Sequence, residues 1–122
     1  MNTVIISIGS NINAEVNIPA MLDILGSETH ITGLSDMVRT SPIGIKDQPD
    51  YTNGAVRVET LLGREKLDEL LKSVEDRMGR NRTLPKFGPR VIDLDIVAWN
   101  GEIVDPDYYT RDFLKKAVDS LL

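Results

Sequence analysis

The sequence contains no cysteine and only one histidine, which excludes several kinds of site. Disulfides and thiolate metal sites cannot form, so a bound metal must be held by oxygen atoms or by His30. No apolar run approaches the roughly 18 residues that a membrane span requires. The apolar run at residues 4–8 is too short for a secretory signal, and no basic segment precedes it. We therefore expect a cytoplasmic protein without a membrane partner.

Aromatic residues and positive charge are also scarce. Phe, Trp and Tyr make up 5% of the chain, and 14 basic residues against 19 acidic ones leave a net charge of -5. Binding to long nucleic acids needs a broad basic face, and an RNA-binding sheet needs exposed aromatic side chains. The composition therefore argues against a nucleic-acid partner, and it makes any local cluster of cations informative.

The 122 residues, 41% of them apolar, are enough for one domain with a core and too few for two. We expect residues 1–122 to form a single domain that acts as a monomer. An apolar run at residues 4–8 predicts a buried strand followed by a turn. Helical spacing then predicts a helix that stops at Gly26. Residues 29–40 and 51–61 indicate two paired strands, the first irregular in its middle, joined by a loop.

The second half of the chain repeats this alternation. Apolar residues at steps of three and four predict a helix over residues 64–78, which Gly79 ends. Residues 91–99 predict a strand, and a turn at Asn100-Gly101 leads into a short hairpin partner. A last helix is expected after Thr110-Arg111-Asp112. The order βαββαβ with a terminal hairpin and helix predicts an α+β, ferredoxin-like sandwich with helices on one face of a mainly antiparallel sheet.

Two acidic residues interrupt the predicted strand at residues 91–99. Asp93 and Asp95 are two positions apart, so their carboxylates project from one face of the strand. Adjacent carboxylates repel one another unless a cation lies between them, and oxygen ligands suit Mg²⁺. The pair predicts a magnesium site, although an exposed face of an edge strand would give the same pattern.

A cluster of cations immediately precedes this strand. Residues 79–90 carry Arg80, Arg82, Lys86 and Arg90 between glycines and prolines. Cations beside a metal site favour polyphosphate binding, whereas a solvated basic loop is the simpler alternative. The sequence has neither a glycine-rich phosphate loop nor a dinucleotide fingerprint, so arginines and metal would have to hold the phosphates. Phosphoryl-type transfer can proceed this way without a protein nucleophile.

Four segments resemble the 6-hydroxymethyl-7,8-dihydropterin pyrophosphokinase family, in order and at its spacing. They are Ile8-Gly9-Ser10-Asn11, then residues 39–44 with 47–53, then Glu75 with Gly79-Arg80-Asn81-Arg82, and finally residues 87–96. The most distinctive is Gly88-Pro89-Arg90 followed by Asp93-Leu94-Asp95. The resemblance covers roughly residues 3–104.

The resemblance implies an ATP-dependent diphosphotransferase of folate biosynthesis. It places Asp93 and Asp95 as ligands of two magnesium ions on ATP, and Arg80 and Arg90 as catalytic contacts to phosphate. The implied nucleotide-binding residues are Glu75, Arg80, Arg82, Arg90, Ile96 and Arg111. The implied pterin-binding residues are Thr40, Pro42, Ile43, Tyr51, Asn53 and Phe113.

Physical chemistry agrees with the implied pterin contacts. A flat heteroaromatic ring gains from stacking between Tyr51 and Phe113, and the Asn53 amide offers a donor and an acceptor to the pterin edge. Without the motifs, ordinary packing would explain both aromatic residues. Between Asp105 and Tyr109 the chain is shorter than the family pattern and lacks its Pro-His pair. A degenerate pterin- or nucleotide-binding paralogue without turnover, and a ferredoxin-like RNA-binding domain, are the alternatives.

Overall fold

Strand β1 (Asn2–Ser10) occupies the middle of the sheet because its side chains are apolar on both faces. Alternate residues Val4 and Ile6 enter one core, and Ile5 enters the other. The computed structural model describes residues 1–42, 44–80, 83 and 89–122. Within them the strands form one antiparallel sheet in the order β2 (His30–Leu34), β4 (Tyr51–Thr60), β1, β5 (Asp93–Trp99) and β6 (Glu102–Ile103), with β3 (Val38–Thr40) also paired to β4.

The remaining elements follow the predicted alternation. Helix α1 (Ala14–Glu28) follows β1, and the other strands are β2 (His30–Leu34), β3 (Val38–Thr40), β4 (Tyr51–Thr60), β5 (Asp93–Trp99) and β6 (Glu102–Ile103). Helix α2 (Arg64–Arg77) lies between β4 and β5, and two helices, α3 (Asp107–Thr110) and α4 (Asp112–Asp119), follow β6. The α+β sandwich is confirmed.

Two apolar cores lie on opposite faces of this sheet. Helices α1 and α2 cover one face through Met21, Leu25 and Leu71, as predicted for helices on a single face. Helices α3 and α4 cover part of the other face through Tyr108, Leu114 and Val118. The last helix therefore forms a third layer, and it leaves open the end of the sheet where β1 ends and β5 begins.

One predicted boundary was wrong. Helix α1 passes through Gly26 and ends at Glu28, because Thr29 supplies the stop. The Thr29 backbone N–H and hydroxyl both donate to the Leu25 carbonyl, each at 2.9 Å. The other glycine stop was right, since Gly79 has a φ of 89° directly after α2, a conformation that glycine adopts without strain. In the described part of the chain, no helix is both long and apolar enough to cross a membrane.

Candidate active site

The centre of the site lies where three strands meet. Gly9 on β1 pairs with Asn53 on one side and with Asp93 on the other. A Cβ atom at Gly9 would stand 3.2 Å from Asn53 Oδ1 and 3.9 Å from Asp93 Cβ. The absence of a side chain at Gly9 therefore lets an amide and a carboxylate approach each other across the sheet.

An open cleft of about 400 Å³ lies over this point. That volume suits a small molecule rather than a macromolecule. Its walls combine aromatic, amide and charged side chains, and they come from strands β1, β3, β4 and β5, from residues that flank β3 and β5, and from helices α3 and α4 with the residue between them. The lining residues are Gly9, Thr40, Ser41, Tyr51, Asn53, Arg90, Asp93, Asp95, Asp107, Arg111 and Phe113.

Asp93 and Asp95 lie on the cleft side of β5, while Leu94 between them enters the core under α1 and α2. Asp95 is solvent-exposed as a residue, yet the cleft walls displace part of the water around its carboxyl group. This desolvation, reinforced by Asp93, Glu75 and Asp105, raises its pKa from 3.8 to about 7, and Arg80 opposes the shift. A cation bound between the aspartates would relieve the repulsion.

This repulsion predicts a pH dependence of stability in metal-free protein. The folded state holds the Asp95 proton more tightly than the unfolded chain, so this group's contribution falls as pH rises from 3.8 to about 7. In the presence of a chelator, Asp95→Asn should remove that part of the slope. Urea unfolding of both proteins at about pH 5 and about pH 7.5 measures it. Identical slopes would contradict the repulsion.

Arg80 joins the acidic strand to helix α2. Its guanidinium Nη1 donates to Asp93 Oδ1 at 3.0 Å and forms an ion pair with Glu75 Oε2, also at 3.0 Å. Glu75 is 3% exposed, and its Oε2 also accepts the Leu94 backbone N–H at 2.8 Å. Within the described residues, the buried Arg80 Nε has no hydrogen-bond partner. Arg80 thus compensates a buried carboxylate behind the cleft and reaches the carboxylate at its edge.

Arg90 and Tyr51 form the wall where charged and aromatic groups meet. Arg90 is buried as a residue, yet it lines the cleft between Tyr51 and Asp93. Burial raises the pKa of the Tyr51 hydroxyl, Asp93 adds to the shift, and the charges of Arg90 and Arg80 oppose it. Tyr51 is therefore a neutral ring beside a guanidinium.

The amide of Asn53 is oriented by its neighbour on β3. Asn53 Nδ2 donates to Thr40 Oγ1 at 2.5 Å, which leaves Oδ1 on the side of Gly9. The bond fixes the orientation of the amide, so Oδ1 and the second Nδ2 hydrogen are the groups that a ligand can use. The two residues form a preset polar edge in the cleft.

The opposite wall is formed by the turn between α3 and α4, which contains Arg111, and by Phe113 at the start of α4. This turn is held by the Tyr108 hydroxyl, which donates to Asp119 at 2.5 Å and accepts from Lys115 at 3.0 Å. Arg111 also pairs with Asp107 at 3.7 Å.

A second cleft of about 600 Å³ adjoins the first and shares Asp95 with it. Its walls offer apolar contacts from Ile96, Val104 and Pro106. The other lining residues are Arg64, Glu65, Asp68 and Asp105. The two clefts together could hold two ligand groups side by side, and Asp95 would lie at the junction between them.

The structure brings most of the sequence-predicted residues to these clefts. The first cleft contains Thr40, Tyr51, Asn53, Arg90, Asp93, Asp95, Arg111 and Phe113, and the second contains Ile96. Glu75 lies behind Arg80 and lines neither cleft, and Pro42 is buried and accepts a bond from Lys46. The predictions for Ile43 and Arg82 lie outside the described residues.

Three residues that line the first cleft, and all those that line the second except Asp95 and Ile96, were not predicted from the sequence. Gly9 and Ser41 lie within the segments that resemble the family, but no role in the site was predicted for either residue. Asp107 lies in the shortened segment, as the first residue of α3, and no residue pattern identified it. Among the described residues, no group of three or more His, Cys, Asp or Glu forms a ready metal site. Two carboxylates that receive further oxygen ligands from a phosphate would still suit Mg²⁺.

An antiparallel α+β sheet with paired carboxylates, arginines and a ring-sized cleft at one end is typical of an enzyme that acts on a phosphorylated substrate. A sequence model of the 7,8-dihydro-6-hydroxymethylpterin-pyrophosphokinase family matches residues 5–121. The chain belongs to this family. A pyrophosphokinase of folate synthesis is thus the class of protein that the fold and the match define together.

Named relatives give the same result. The 2-amino-4-hydroxy-6-hydroxymethyldihydropteridine pyrophosphokinase of Haemophilus influenzae is 37% identical over 113 residues, which are 90% of this chain and 70% of that protein. The Bacillus subtilis protein of the same name is 33% identical over 87% of this chain and 65% of its own length. The mitochondrial folate synthesis bifunctional protein of Pisum sativum is 38% identical over 88% of this chain, but this spans only 21% of it.

Proposed function

We propose that this chain transfers the β,γ-diphosphate of ATP to the hydroxymethyl group of 6-hydroxymethyl-7,8-dihydropterin and releases AMP. The observation that supports the proposal is that one cleft combines aromatic and amide side chains with charged ones, which we assign to a ring-binding half and a phosphate-binding half. Tyr51, Asn53 and Phe113 line the first half, and Arg90 and Asp93 line the second. Family membership supports the same activity.

The pterin ring is proposed to lie between Tyr51 and Phe113, with its amide-like edge on Asn53. Stacking on aromatic faces and one oriented amide would recognise a flat ring with alternating donors and acceptors. Asn53 Oδ1 would accept from the ring and the second Nδ2 hydrogen would donate to it, because the bond to Thr40 orients the amide. This arrangement would direct the hydroxymethyl group toward Asp93 and Asp95.

Removal of the Thr40 hydroxyl should weaken pterin binding selectively. Thr40→Val preserves the shape of the side chain but leaves Asn53 Nδ2 without its acceptor, so the amide can turn its wrong end to the ring. We expect the KM for the pterin to rise about tenfold while the KM for ATP stays the same. Steady-state kinetics measure both constants, and Thr40→Ser, which restores the hydroxyl, is the matched control. An equal rise in both constants would contradict the assignment.

The phosphates are proposed to lie against Arg90, Arg80 and the two aspartates. Asp93 and Asp95 would hold two magnesium ions with the phosphate oxygens, and these ions would supply neutralisation of the transferring charge. Arg90 lines the cleft, while Arg80 retains a buried Nε donor with no partner in the described part of the chain. A phosphate that draws the guanidinium outward would give that donor an acceptor.

The nucleoside of ATP is proposed to occupy the second cleft. Ile96, Val104 and Pro106 would pack against the base, and Asp95 would stand at the phosphates where the clefts meet. In the reaction the hydroxymethyl oxygen bonds to the β-phosphorus, and the bond from that phosphorus to the bridging oxygen of AMP breaks. AMP leaves with the bonding electrons, and the hydroxyl proton is released to solvent.

The principal alternative is a degenerate paralogue that binds both ligands without turnover. The presence of Asp93, Asp95 and Arg90 in one cleft favours the enzyme, since a binding module needs no paired carboxylates beside phosphates. A coupled assay for AMP release distinguishes the two. Turnover that requires ATP, the dihydropterin and Mg²⁺ together would support the proposal. Calorimetric binding of both ligands without AMP release would support the paralogue.

A cytoplasmic location and a monomeric state remain predictions that follow from the sequence. Family membership and the small size of the cleft argue against the RNA-binding alternative. ATP and the reduced pterin are the partners that the proposed activity requires.

A further inference from the structure

Asn11, directly after β1, makes a set of bonds that the proposed chemistry does not use. The residue is only 5% exposed. Its Oδ1 accepts the Arg90 backbone N–H at 2.8 Å, and its own N–H donates to the Arg90 carbonyl at 3.1 Å. Its Nδ2 donates to Gln48 Oε1 at 2.9 Å and to the Pro49 carbonyl at 3.1 Å. Both ends of one buried amide are thus engaged with two separate segments.

Each of these segments leads directly into one half of the cleft. Arg90 itself lines the phosphate-binding half. Gln48 and Pro49 end the connection before β4, whose first residue Tyr51 lines the ring-binding half. Gln48 is in turn fixed, because its Nε2 donates to the Ile45 carbonyl at 2.6 Å.

The neighbouring residue strengthens the attachment to the phosphate side. The Ser10 hydroxyl is buried and donates to the Val91 carbonyl at 2.6 Å. Residues 10 and 11 therefore hold the backbone at residues 90 and 91 through consecutive bonds, just before β5 begins. If the Arg90 backbone moved toward a bound phosphate, its bonds to Asn11 would be the first to change.

We propose that Asn11 is a positioning residue that couples the two substrate subsites. Its Oδ1 binds the Arg90 backbone, and its Nδ2 binds Gln48 and Pro49, which precede Tyr51. The amide group is rigid, so a shift at one end moves the other. Nucleotide phosphates that order Arg90 thereby order the ring-binding wall, and the pterin orders Arg90 in return. This inference rests on the proposed function for the identity of the two ligands.

Asn11→Asp separates the two ends of the amide. The carboxylate still accepts the Arg90 N–H, but an oxygen replaces Nδ2 and faces the Gln48 and Pro49 acceptors. The bond to the phosphate side is retained, while the bonds toward Tyr51 are lost and replaced by repulsion. A purely structural role would lower stability without changing how one ligand affects the other.

The test is calorimetric titration of the pterin substrate with and without a non-hydrolysable ATP analogue and Mg²⁺. In the wild type, the analogue should tighten pterin binding about tenfold or more. In Asn11→Asp this factor should fall to about two, while the Kd of the analogue alone stays within about threefold of the wild type. Gln48→Ala leaves the Arg90 bond intact and should lower the factor in part, which provides a second variant if Asn11→Asp does not fold.

The matched control is Asn100→Asp, in the turn between β5 and β6 beside the start of β1. Asn100 Oδ1 accepts the Thr3 N–H at 2.8 Å, its N–H donates to the Thr3 carbonyl at 2.8 Å, and its Nδ2 donates to Asn2 at 3.1 Å. The substitution changes the same chemical groups away from the clefts and should leave the factor unchanged. A folded Asn11→Asp or Gln48→Ala protein with the wild-type factor would overturn the inference. A wild type that turns over without any coupling would also overturn it, whereas a wild type that binds neither ligand would refute the proposed function itself.

Discussion

Replacement of Asp95 with asparagine is expected to lower kcat by about a thousandfold or more. The substitution removes one of the two carboxylates proposed to hold magnesium, and the metal is expected to stabilise several kcal/mol of transferring charge. The protein should still fold, because the carboxylate lies at the mouth of the cleft and is repelled by Asp93, Glu75 and Asp105. AMP-release rates and thermal unfolding of the metal-free protein measure the two effects together.

The loss of a charge alone must be separated from the loss of a ligand. Asp23→Asn makes the same chemical change on the exposed surface of α1 and should leave both kcat and the melting temperature close to those of the wild type. A folded Asp95→Asn protein with a rate near the wild-type rate would refute the magnesium assignment. A protein that loses activity because it unfolds would refute the electrostatic description of the cleft.

Replacement of Arg80 with methionine is expected to cause the largest loss of stability. It removes the guanidinium that compensates Glu75, and the exposed fraction of the Glu75 side chain is only 4%. A buried carboxylate without its partner costs about 3 kcal/mol of unfolding free energy. Urea unfolding measures the loss, and AMP release should fall as well, because Arg80 also holds Asp93 at 3.0 Å.

A double variant tests whether the buried charge is the cause. Glu75→Gln keeps an oxygen for the Leu94 N–H but carries no charge, so Glu75→Gln with Arg80→Met should recover about half of the lost stability. Arg77→Met, three residues earlier and with a half-exposed side chain, is the control and should change stability by less than about 0.5 kcal/mol. A double variant no more stable than Arg80→Met would show that the guanidinium acts through packing instead.

Much of the fold could be predicted because local chemistry and tertiary structure agree. Helix α2 has a clear apolar stripe and a glycine in a left-handed conformation directly after it, so both its position and its end were predicted. The Asn100-Gly101 turn has positive φ at both residues, 51° and 85°, which is what that dipeptide favours. The irregular middle predicted for residues 29–40 is the break between β2 and β3.

The errors had one local cause and one distant cause. Gly26 did not end α1, because Thr29 donates two bonds to the Leu25 carbonyl and the helix continues to reach it. The placement of α4 on the far face of the sheet depends on Leu114 and Val118 finding a second core beside Ile5. The periodicity of apolar residues in the sequence does not indicate which face of the sheet a terminal helix will cover.

The candidate site, like the fold, could be predicted from the sequence only in part. The spacing of Asp93 and Asp95 was sufficient to place both carboxylates on one face, and the structure puts both in the cleft. The inward position of Glu75, its bond to the Leu94 N–H and the two-sided bonding of Asn11 join residues that are 19, 37 and 79 positions apart. Such contacts are set by the tertiary packing of helices, strands and loops, and only the folded chain shows them.

The central claim is that a diphosphate, and not a single phosphate, moves from ATP to the pterin. Phosphorus NMR with mass spectrometry of a reaction containing ATP, 6-hydroxymethyl-7,8-dihydropterin and Mg²⁺ tests it directly. The predicted result is AMP and a pterin that carries two linked phosphates in equal amounts, with neither product formed when a chelator replaces Mg²⁺. Formation of ADP with a singly phosphorylated pterin, or recovery of both substrates unchanged by a protein shown to bind them, would contradict it.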